Sequence, residues 1–271
     1  TEAGKAAAAY LAGRGIAPET VEKFGLGYAP SFPDGLLGYL RKKGFTDAET
    51  VASGLVIDHE RGLFDRFRDR LMIPIRDGKG RVIAFAGRAM RATQPAKYMN
   101  SPSTPLFDKS ATLFALDVAK AQVRRKSEAV IVEGQFDAIS CHQAGLDTAV
   151  ASMGTALTAG QYRILDDLKI DRAVVAFDGD AAGTASAEKR GRELAAIVQR
   201  HVSRAGRRGS VATRTGLGVY VAVLPEGMDP DQLARSDAAR LRELLAAAEP
   251  VLAFVIEQIR RRSDLVSPDG R

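Results

Sequence analysis

The feature that most constrains the fold is an alternation of short apolar segments with helix-forming segments in the second half of the chain. Four apolar runs lie at residues 129–132, 148–151, 173–177 and 219–224, and segments with helical spacing lie between the first three and after the third, at 137–144, 157–168 and 181–198. Strands that are buried on both faces read as continuous apolar runs, and helices usually connect parallel strands. The pattern therefore predicts an α/β fold with a mostly parallel sheet flanked by helices.

The first half of the chain predicts a mixed α+β subdomain. Residues 1–30 predict a helical hairpin and residues 34–54 a second helical pair, whereas apolar runs at 71–75 and 82–86 around a Gly-rich turn predict a β-hairpin. Residues 91–110 are expected to be irregular, and residues 200–214, which contain Arg and no acid, are expected to form a basic loop. We predict three regions: the basic subdomain 1–127, a catalytic subdomain 128–235, and a C-terminal helical segment with the start of a linker, 236–271.

Charge is unevenly distributed along the chain. Residues 61–126 contain 15 Lys and Arg against 5 Asp and Glu, whereas residues 128–193 contain 6 against 11. Such a division is found on ordinary solvated surfaces, and it is also expected where a nucleic-acid platform accompanies a carboxylate site. The sequence has no apolar stretch of membrane-spanning length and no secretory signal, and its single cysteine, Cys141, excludes an internal disulfide and a cysteine-cluster zinc site. We expect a cytoplasmic monomer with no membrane partner.

Acidic residues follow three of the four predicted strands: Glu133 and Asp137, Asp178 and Asp180, and Asp229 and Asp231. Taken singly, Asp-Gly-Asp is a common turn and Asp-Pro-Asp a common helix start. Placed at the carboxyl ends of neighbouring parallel strands, these side chains would converge on one crevice. Clustered carboxylates repel one another unless a cation joins them, and their hard oxygen atoms favour Mg²⁺ or Mn²⁺ over zinc. The residues themselves therefore predict metal-dependent phosphoryl transfer near nucleic acid.

Two motifs resemble the Toprim domain that bacterial primases, topoisomerases and some nucleases share: Val132-Glu133-Gly134 with Asp137, and the segment 177–183 from Phe177 to Gly183. Further segments, in colinear order over nearly the whole chain, resemble DnaG-type primases alone. They are Phe24–Pro30, Asp65–Arg70 leading into Ile73–Ile75, Ala86–Arg88, Lys97–Pro102, Leu106–Lys109, Ala149–Thr158 and Leu224–Asp231.

The resemblance implies a Toprim-type catalytic core that makes short RNA primers from NTPs on single-stranded DNA by two-metal nucleotidyl transfer. It implies catalytic roles for Glu133, Asp137, Asp178 and Asp180, and binding of Mg²⁺ or Mn²⁺ by Glu133, Asp178, Asp180, Asp229 and Asp231. It also implies that nucleotides or template are held by a basic and polar set: Arg14, Arg66, Arg68, Arg88, Lys97, Tyr98, Asn100 and Lys109. The family's zinc-binding and helicase-interacting domains have no counterpart in this sequence, so we expect zinc and the replicative helicase to engage only the full-length protein.

Two other functions stay open at this point. A Toprim nuclease or topoisomerase fragment would share the acidic residues, although none of the six tyrosines has the setting of a topoisomerase nucleophile. A non-catalytic nucleic-acid-binding module would share the basic residues, but it would have no need of the complete set of acids. DNA cleavage without NTPs would favour the nuclease, and binding without any product would favour the module.

Overall fold

The computed structural model describes residues 2–94, 96–154, 157–179, 185–206 and 216–262. The chain forms two compact units, Thr1–Lys109 and Ser110–Arg271. The sequence predicts a boundary after residue 127, whereas the structure divides the chain after Lys109. The difference arises because helix α5 (Leu116–Lys126) packs against strands of the second unit and contributes to its core. The predicted division after residue 235 has no counterpart, since the helices that follow it also belong to the second unit.

The first unit contains four helices and six strands among its described residues. The helices are α1 (Glu2–Gly13), α2 (Pro18–Phe24), α3 (Gly35–Lys42) and α4 (Asp47–Ala52). The strands are β1 (Gly27–Ala29), β2 (Val56–His59), β3 (Gly62–Asp65), β4 (Arg70–Arg76), β5 (Val82–Ala89) and β6 (Tyr98–Asn100). Strands β1, β4, β5 and β6 form one antiparallel sheet in the order β1-β4-β5-β6, and β2 pairs with β3 in a separate hairpin.

Local sequence signals account for much of this unit. Pro18 begins α2, and Gly25 ends it in the left-handed conformation at φ 65°, which glycine adopts without steric cost. The predicted helical pairs are α1–α2 and α3–α4, and the predicted hairpin is β4–β5. The short strand β6 lies within the segment that was expected to be irregular. Its three residues pair with β5, a partner distant enough in the chain that local patterning does not identify it.

The second unit is built around a five-stranded sheet. Its strands are β7 (Glu128–Val132), β8 (Ala149–Ala151), β9 (Arg172–Phe177), β10 (Gly218–Val223) and β11 (Glu249–Pro250). Its helices after α5 are α6 (Gln135–Gln143), α7 (Ala159–Asp167), α8 (Ala185–Gly206), α9 (Pro230–Ser236), α10 (Ala238–Ala246) and α11 (Val251–Arg262). The strand order is β11-β10-β9-β7-β8, with β7 to β10 parallel and β11 antiparallel. The predicted α/β fold with a mostly parallel sheet is confirmed.

Helices cover the sheet on both faces. Alternate residues of the central strands, among them Ile131 and Val175, pack into one core with α5, α7, α8 and α11. Side chains alternate between the two faces of a strand, so the intervening residues, such as Val130 and Val174, point to the opposite face. Helices α6, α9 and α10 pack on one another or on the edges of the sheet there. Burial on both faces explains why these strands read as continuous apolar runs.

Residues 200–206 belong to the last turns of α8 and do not form the predicted basic loop. A loop was expected because this segment is polar and contains glycine, yet the helix that begins at Ala185 continues through it. The rest of the predicted loop, residues 207–214, lies outside the described residues. None of the helices in the described part of the chain is long and apolar enough to cross a membrane.

We expect Ile131→Ala to lower the free energy of unfolding by about 2–5 kcal/mol, because it removes a fully buried branched side chain from the core of the sheet. Urea unfolding followed by circular dichroism measures the change. The control is Val82→Ala in β5, where the side chain is 42% exposed and the expected cost is within about 0.5 kcal/mol. Equal losses in the two variants would contradict the placement of Ile131.

Candidate metal centre and nucleic-acid interface

The predicted acidic residues lie at one edge of the second unit's sheet. Glu133 comes directly after β7, Asp178 directly after β9, and Asp229 follows β10 by a short loop and caps α9. The three strands are immediate neighbours and run parallel. Their carboxyl ends therefore meet at the same edge. We use the term acidic edge for Glu133, Asp137, Asp178, Asp229 and Asp231.

Gly179 joins two of the loops that carry these acids. Its amide donates a hydrogen bond to the Met228 carbonyl at 3.0 Å. A Cβ at this position would collide with the Pro225 carbonyl oxygen and lie 2.8 Å from Cα of Glu226. The close approach therefore requires glycine, and it brings Asp178 next to the loop that leads into Asp229.

Glu133 has a partner that the sequence analysis did not anticipate. Its Oε1 accepts a hydrogen bond from Nη1 of Arg190, a residue of α8, and the two side chains are 30% and 34% exposed. The Arg190 guanidinium also lies 6.0 Å from the ring centroid of Phe177, the last residue of β9. Arg190 is 57 residues from Glu133 in the chain, and no local motif marks it.

Asp137 occupies the first turn of α6, where its Oδ2 accepts a hydrogen bond from the Gly134 amide at 2.8 Å. The pKa of this carboxyl is raised to about 7, chiefly by burial and also by the nearby charges of Asp229, Asp178 and Asp231, against the lowering effect of the Gly134 hydrogen bond. Repulsion of this kind requires the carboxylates to be close together. The Asp137 carboxyl is thus within electrostatic reach of the three aspartates.

Asp231 is held by protein groups. It is 1% exposed. Its Oδ1 accepts hydrogen bonds from Ser140 Oγ at 2.5 Å and Arg235 Nε at 3.1 Å, and its Oδ2 accepts one from Arg235 Nη2 at 3.0 Å. Asp231 and Arg235 both belong to α9, whereas Ser140 belongs to α6. The hydrogen bond between Ser140 and Asp231 therefore joins the two helices. Its contacts favour a positioning role over direct metal binding.

The donor chemistry of the acidic edge suits a hard divalent cation, because every candidate ligand is a carboxylate oxygen. Among the described residues, no three His, Cys, Asp or Glu side chains lie close enough together to hold a metal ion. Asp180, a predicted ligand, lies outside the described residues. Mg²⁺ commonly takes only one or two carboxylates and completes its octahedral coordination with water and phosphate oxygens. The residues present therefore fit such an ion in type and location without forming a complete protein cage.

The first unit brings four of the eight predicted nucleic-acid-binding residues into one group. Arg88 of β5 lies opposite Tyr98 of β6 in the strand register, and its guanidinium is 5.9 Å from the Tyr98 ring centroid. Lys97 Nζ is 5.9 Å from the same ring. Burial raises the pKa of Tyr98, while the charges of Arg14 and Arg88 oppose the increase. Arg14, Arg88, Lys97 and Tyr98, together with Tyr10, are called the basic cluster below.

The other predicted binding residues have different surroundings. Arg66 donates from Nε to the Gly54 carbonyl at 2.7 Å, and burial lowers its pKa. The Arg68 guanidinium lies 5.2 Å from the Phe64 ring centroid. Asn100 is opposite Ala86 in the β5–β6 register, and Lys109 opens a short 3₁₀ turn, Lys109–Ala111. These four residues remain predicted ligands.

Two protein-family models match the chain. One describes the DNA primase catalytic core, N-terminal domain, and matches residues 1–120; the other describes the Toprim domain and matches residues 127–205. The DNA primase of Streptomyces coelicolor is 40% identical over 270 residues, which cover 97% of this chain and 39% of that primase. The chain thus spans about two fifths of the length of the curated primases it matches.

Solved structures show the same relationship, and this chain covers a larger share of each of them. The RNA polymerase domain of Mycobacterium tuberculosis primase DnaG has a TM-score of 0.83 and 34% identity, and the match covers 98% of this chain and 83% of that one. A DnaG primase catalytic domain bound to single-stranded DNA has a TM-score of 0.79 and 29% identity, with 98% of this chain and 78% of that one covered.

We expect Gly179→Ala to lower the free energy of unfolding by about 1–3 kcal/mol, because the added methyl group forces the Asp178 loop away from Pro225. Chemical denaturation measures the loss. Gly216→Ala is the matched control, since a Cβ at Gly216 meets no atom within 4 Å. If both variants were as stable as the parent, the loops could not be in the contact described.

The raised pKa of Asp137 predicts a specific pH dependence for the metal-free protein. The folded carboxyl keeps its proton up to about pH 7, whereas an unfolded aspartate loses it near pH 4. The contribution of Asp137 to the free energy of unfolding therefore decreases as the pH rises from about 4 to about 7. Asp137→Asn removes this decrease and is expected to be more stable than the parent at pH 8.

Urea unfolding in EDTA, repeated across this pH range, tests the expectation. The exposed substitution Asp167→Asn on α7 is the control for removal of one carboxyl group from the second unit. Identical pH profiles for the parent and Asp137→Asn would mean that the Asp137 carboxyl is not shifted.

Proposed function

The chain belongs to the bacterial DnaG-type primase family, and we propose that it is a catalytic core that joins ribonucleotides into short RNA primers on single-stranded DNA. The observation that carries the proposal is the acidic edge, where three neighbouring parallel strands, β7, β9 and β10, lead to Glu133, Asp178 and Asp229 at one end of the sheet. Primer extension is attack of a 3′-hydroxyl on the α-phosphorus of an NTP, with pyrophosphate leaving. Both oxygens of that exchange carry charge that needs cationic stabilisation.

The Toprim primases depend on metal ions, and we infer that Mg²⁺ or Mn²⁺ serves here, with Glu133, Asp178, Asp180 and Asp229 as the residues that would hold it. When bound, such an ion supplies charge stabilisation to the entering and leaving oxygens. Asp231 would keep α6 and α9 in place through Ser140 and Arg235. Asp137 would support the site from the first turn of α6, where its Oδ2 accepts a hydrogen bond from the Gly134 amide.

The first unit would hold the anionic substrates. Arginine forks and lysine ammonium groups neutralise phosphate charge, and an exposed aromatic ring is a surface on which a base can stack. Arg14, Arg88, Lys97 and Tyr98 are the residues best grouped for this task, with Tyr98 42% exposed. Arg66, Arg68, Asn100 and Lys109 would extend the contact surface. The partners are then template DNA, NTPs and the growing RNA, and the natural setting is the cytoplasm.

The deciding experiment is primer synthesis on single-stranded DNA with all four NTPs and Mg²⁺ or Mn²⁺. We expect Glu133→Gln to reduce RNA synthesis by about 100-fold or more, because it removes the central charge of the acidic edge while preserving the shape of the side chain. Asp178→Ala is expected to do the same. The control is Glu193→Gln, an exposed position on α8, which should leave synthesis unchanged.

Full RNA synthesis by Glu133→Gln, with a normal circular dichroism spectrum, would contradict the role given to that residue. DNA cleavage by the parent protein without NTPs would instead support a Toprim nuclease, and the same acid substitutions would then be expected to abolish cleavage. RNA products that disappear in Glu133→Gln and in Asp178→Ala would support the primase. They would also support the acidic edge as its metal centre.

A further inference from the structure

Tyr10 is the one member of the basic cluster that is not among the ligands predicted from the sequence. It lies near the end of α1, and its ring is covered by the Arg88 guanidinium at 4.2 Å from the ring centroid. Its hydroxyl oxygen accepts a hydrogen bond from Arg14 Nη1 at 2.9 Å. A single side chain therefore contacts two arginines that come from different parts of the chain.

Arg88 also has an aromatic neighbour on β6. Tyr98 is its direct partner across the β5–β6 register, with the guanidinium 5.9 Å from the Tyr98 ring centroid. The two rings contact the same guanidinium, Tyr10 more closely than Tyr98. The charge of Arg14 acts on the Tyr98 hydroxyl as well, which places all four side chains in one neighbourhood.

The arrangement has two physical consequences. Aromatic rings attract the face of a guanidinium, so stacking restricts the rotation of Arg88. Its Nη1 also donates to the Ala89 carbonyl at 3.1 Å, which fixes the plane in which the guanidinium can meet a phosphate. Arg14 and Arg88 repel each other as like charges, and Tyr10 contacts both of them. Two fixed guanidinium groups beside an exposed ring, Tyr98, match one phosphate and one base of a nucleotide unit.

We propose that Tyr10 is a positioning residue that fixes Arg14 and Arg88 for a shared phosphate of bound single-stranded nucleic acid. This inference rests on the proposed function, because it assigns a role within the same binding surface. Tyr10 itself need not touch the nucleic acid. Its effect is to reduce the conformational freedom that the two arginines would otherwise lose on binding.

A positioning role and a charge role differ in how binding responds to salt. The salt dependence of affinity counts the phosphates that are neutralised, at about 0.7 ion per phosphate for single strands. Arg88→Gln removes a charge, so it is expected to weaken binding and also to reduce the slope of log affinity against log salt. Tyr10→Leu leaves every charge in place, so it is expected to weaken binding about fivefold, by loss of the stacked and hydrogen-bonded geometry, with the slope unchanged.

The experiment is a fluorescence-anisotropy titration of a labelled oligodeoxythymidine across a series of salt concentrations. Tyr10→Phe keeps the ring on Arg88 and loses only the hydrogen bond from Arg14, so it is expected to weaken binding about threefold. Tyr10→Phe also tests the proposal if Tyr10→Leu fails to fold. The matched control is Tyr39→Leu, an exposed tyrosine of α3 with Lys43 Nζ 5.6 Å from its ring centroid, which should bind as the parent does.

A second readout does not depend on DNA. Phenylglyoxal modifies exposed guanidinium groups, and peptide mass spectrometry follows each arginine separately. In the free protein, Arg88 is expected to react faster in Tyr10→Leu than in the parent, whereas the exposed Arg61, in the turn between β2 and β3, serves as the internal reference.

Parent-like affinity and Arg88 reactivity in Tyr10→Leu would overturn the positioning role, as would an equal loss of affinity in Tyr39→Leu. A salt slope that falls in Tyr10→Leu as far as in Arg88→Gln would also overturn it, because the loss would then be one of charge. A parent protein that binds no single-stranded DNA would overturn the proposed function itself, which separates the two failures.

Discussion

The parallel pairing of β9 with β7 on one side and with β10 on the other is the constraint on which the acidic edge depends. Parallel strands in register end together, so the residues that follow them are delivered to one place regardless of their distance in sequence. Residues Ala129 and Val219 both lie opposite Ala173, which shows how closely the three strands are aligned. Glu133 and Asp178 come shortly after the ends of β7 and β9 and therefore reach the same edge, and the loop after β10 brings Asp229 there.

Much of this could be predicted from the sequence because the signals are local. The apolar runs that become β7, β9 and β10 are continuous, and the acids follow them directly, so strand type and the location of Glu133 and Asp178 can be read from a few neighbouring residues. Strand order is not local, and the sequence analysis could say only that the acids would converge if their strands were neighbours. Pro18 and Gly25 likewise mark the limits of α2 with residues that act on their own backbone.

The features that were missed depend on contacts between distant residues. Arg190 and Tyr10 have no motif, and each acquires its role only when α8 or α1 is placed against another element. The engagement of Asp231 by Ser140 and Arg235 is similar, because Ser140 lies 91 residues away. The assignment of helix α5 to the second unit follows from Leu116, Ala119 and Val123, whose packing partners are strands that follow it.

The ion pairs at the acidic edge affect whether the protein needs a metal ion in order to fold. Glu133 is matched by Arg190 and Asp231 by Arg235, while the proton retained by Asp137 neutralises a third carboxyl group. The chain thus carries its own counter-ions for a cluster that would otherwise resist compaction. Small zinc domains fold only as the ion arrives; here the scaffold can be assembled first and loaded afterwards. Under the proposed function, the supply of metal would then affect catalysis more than the stability of the protein.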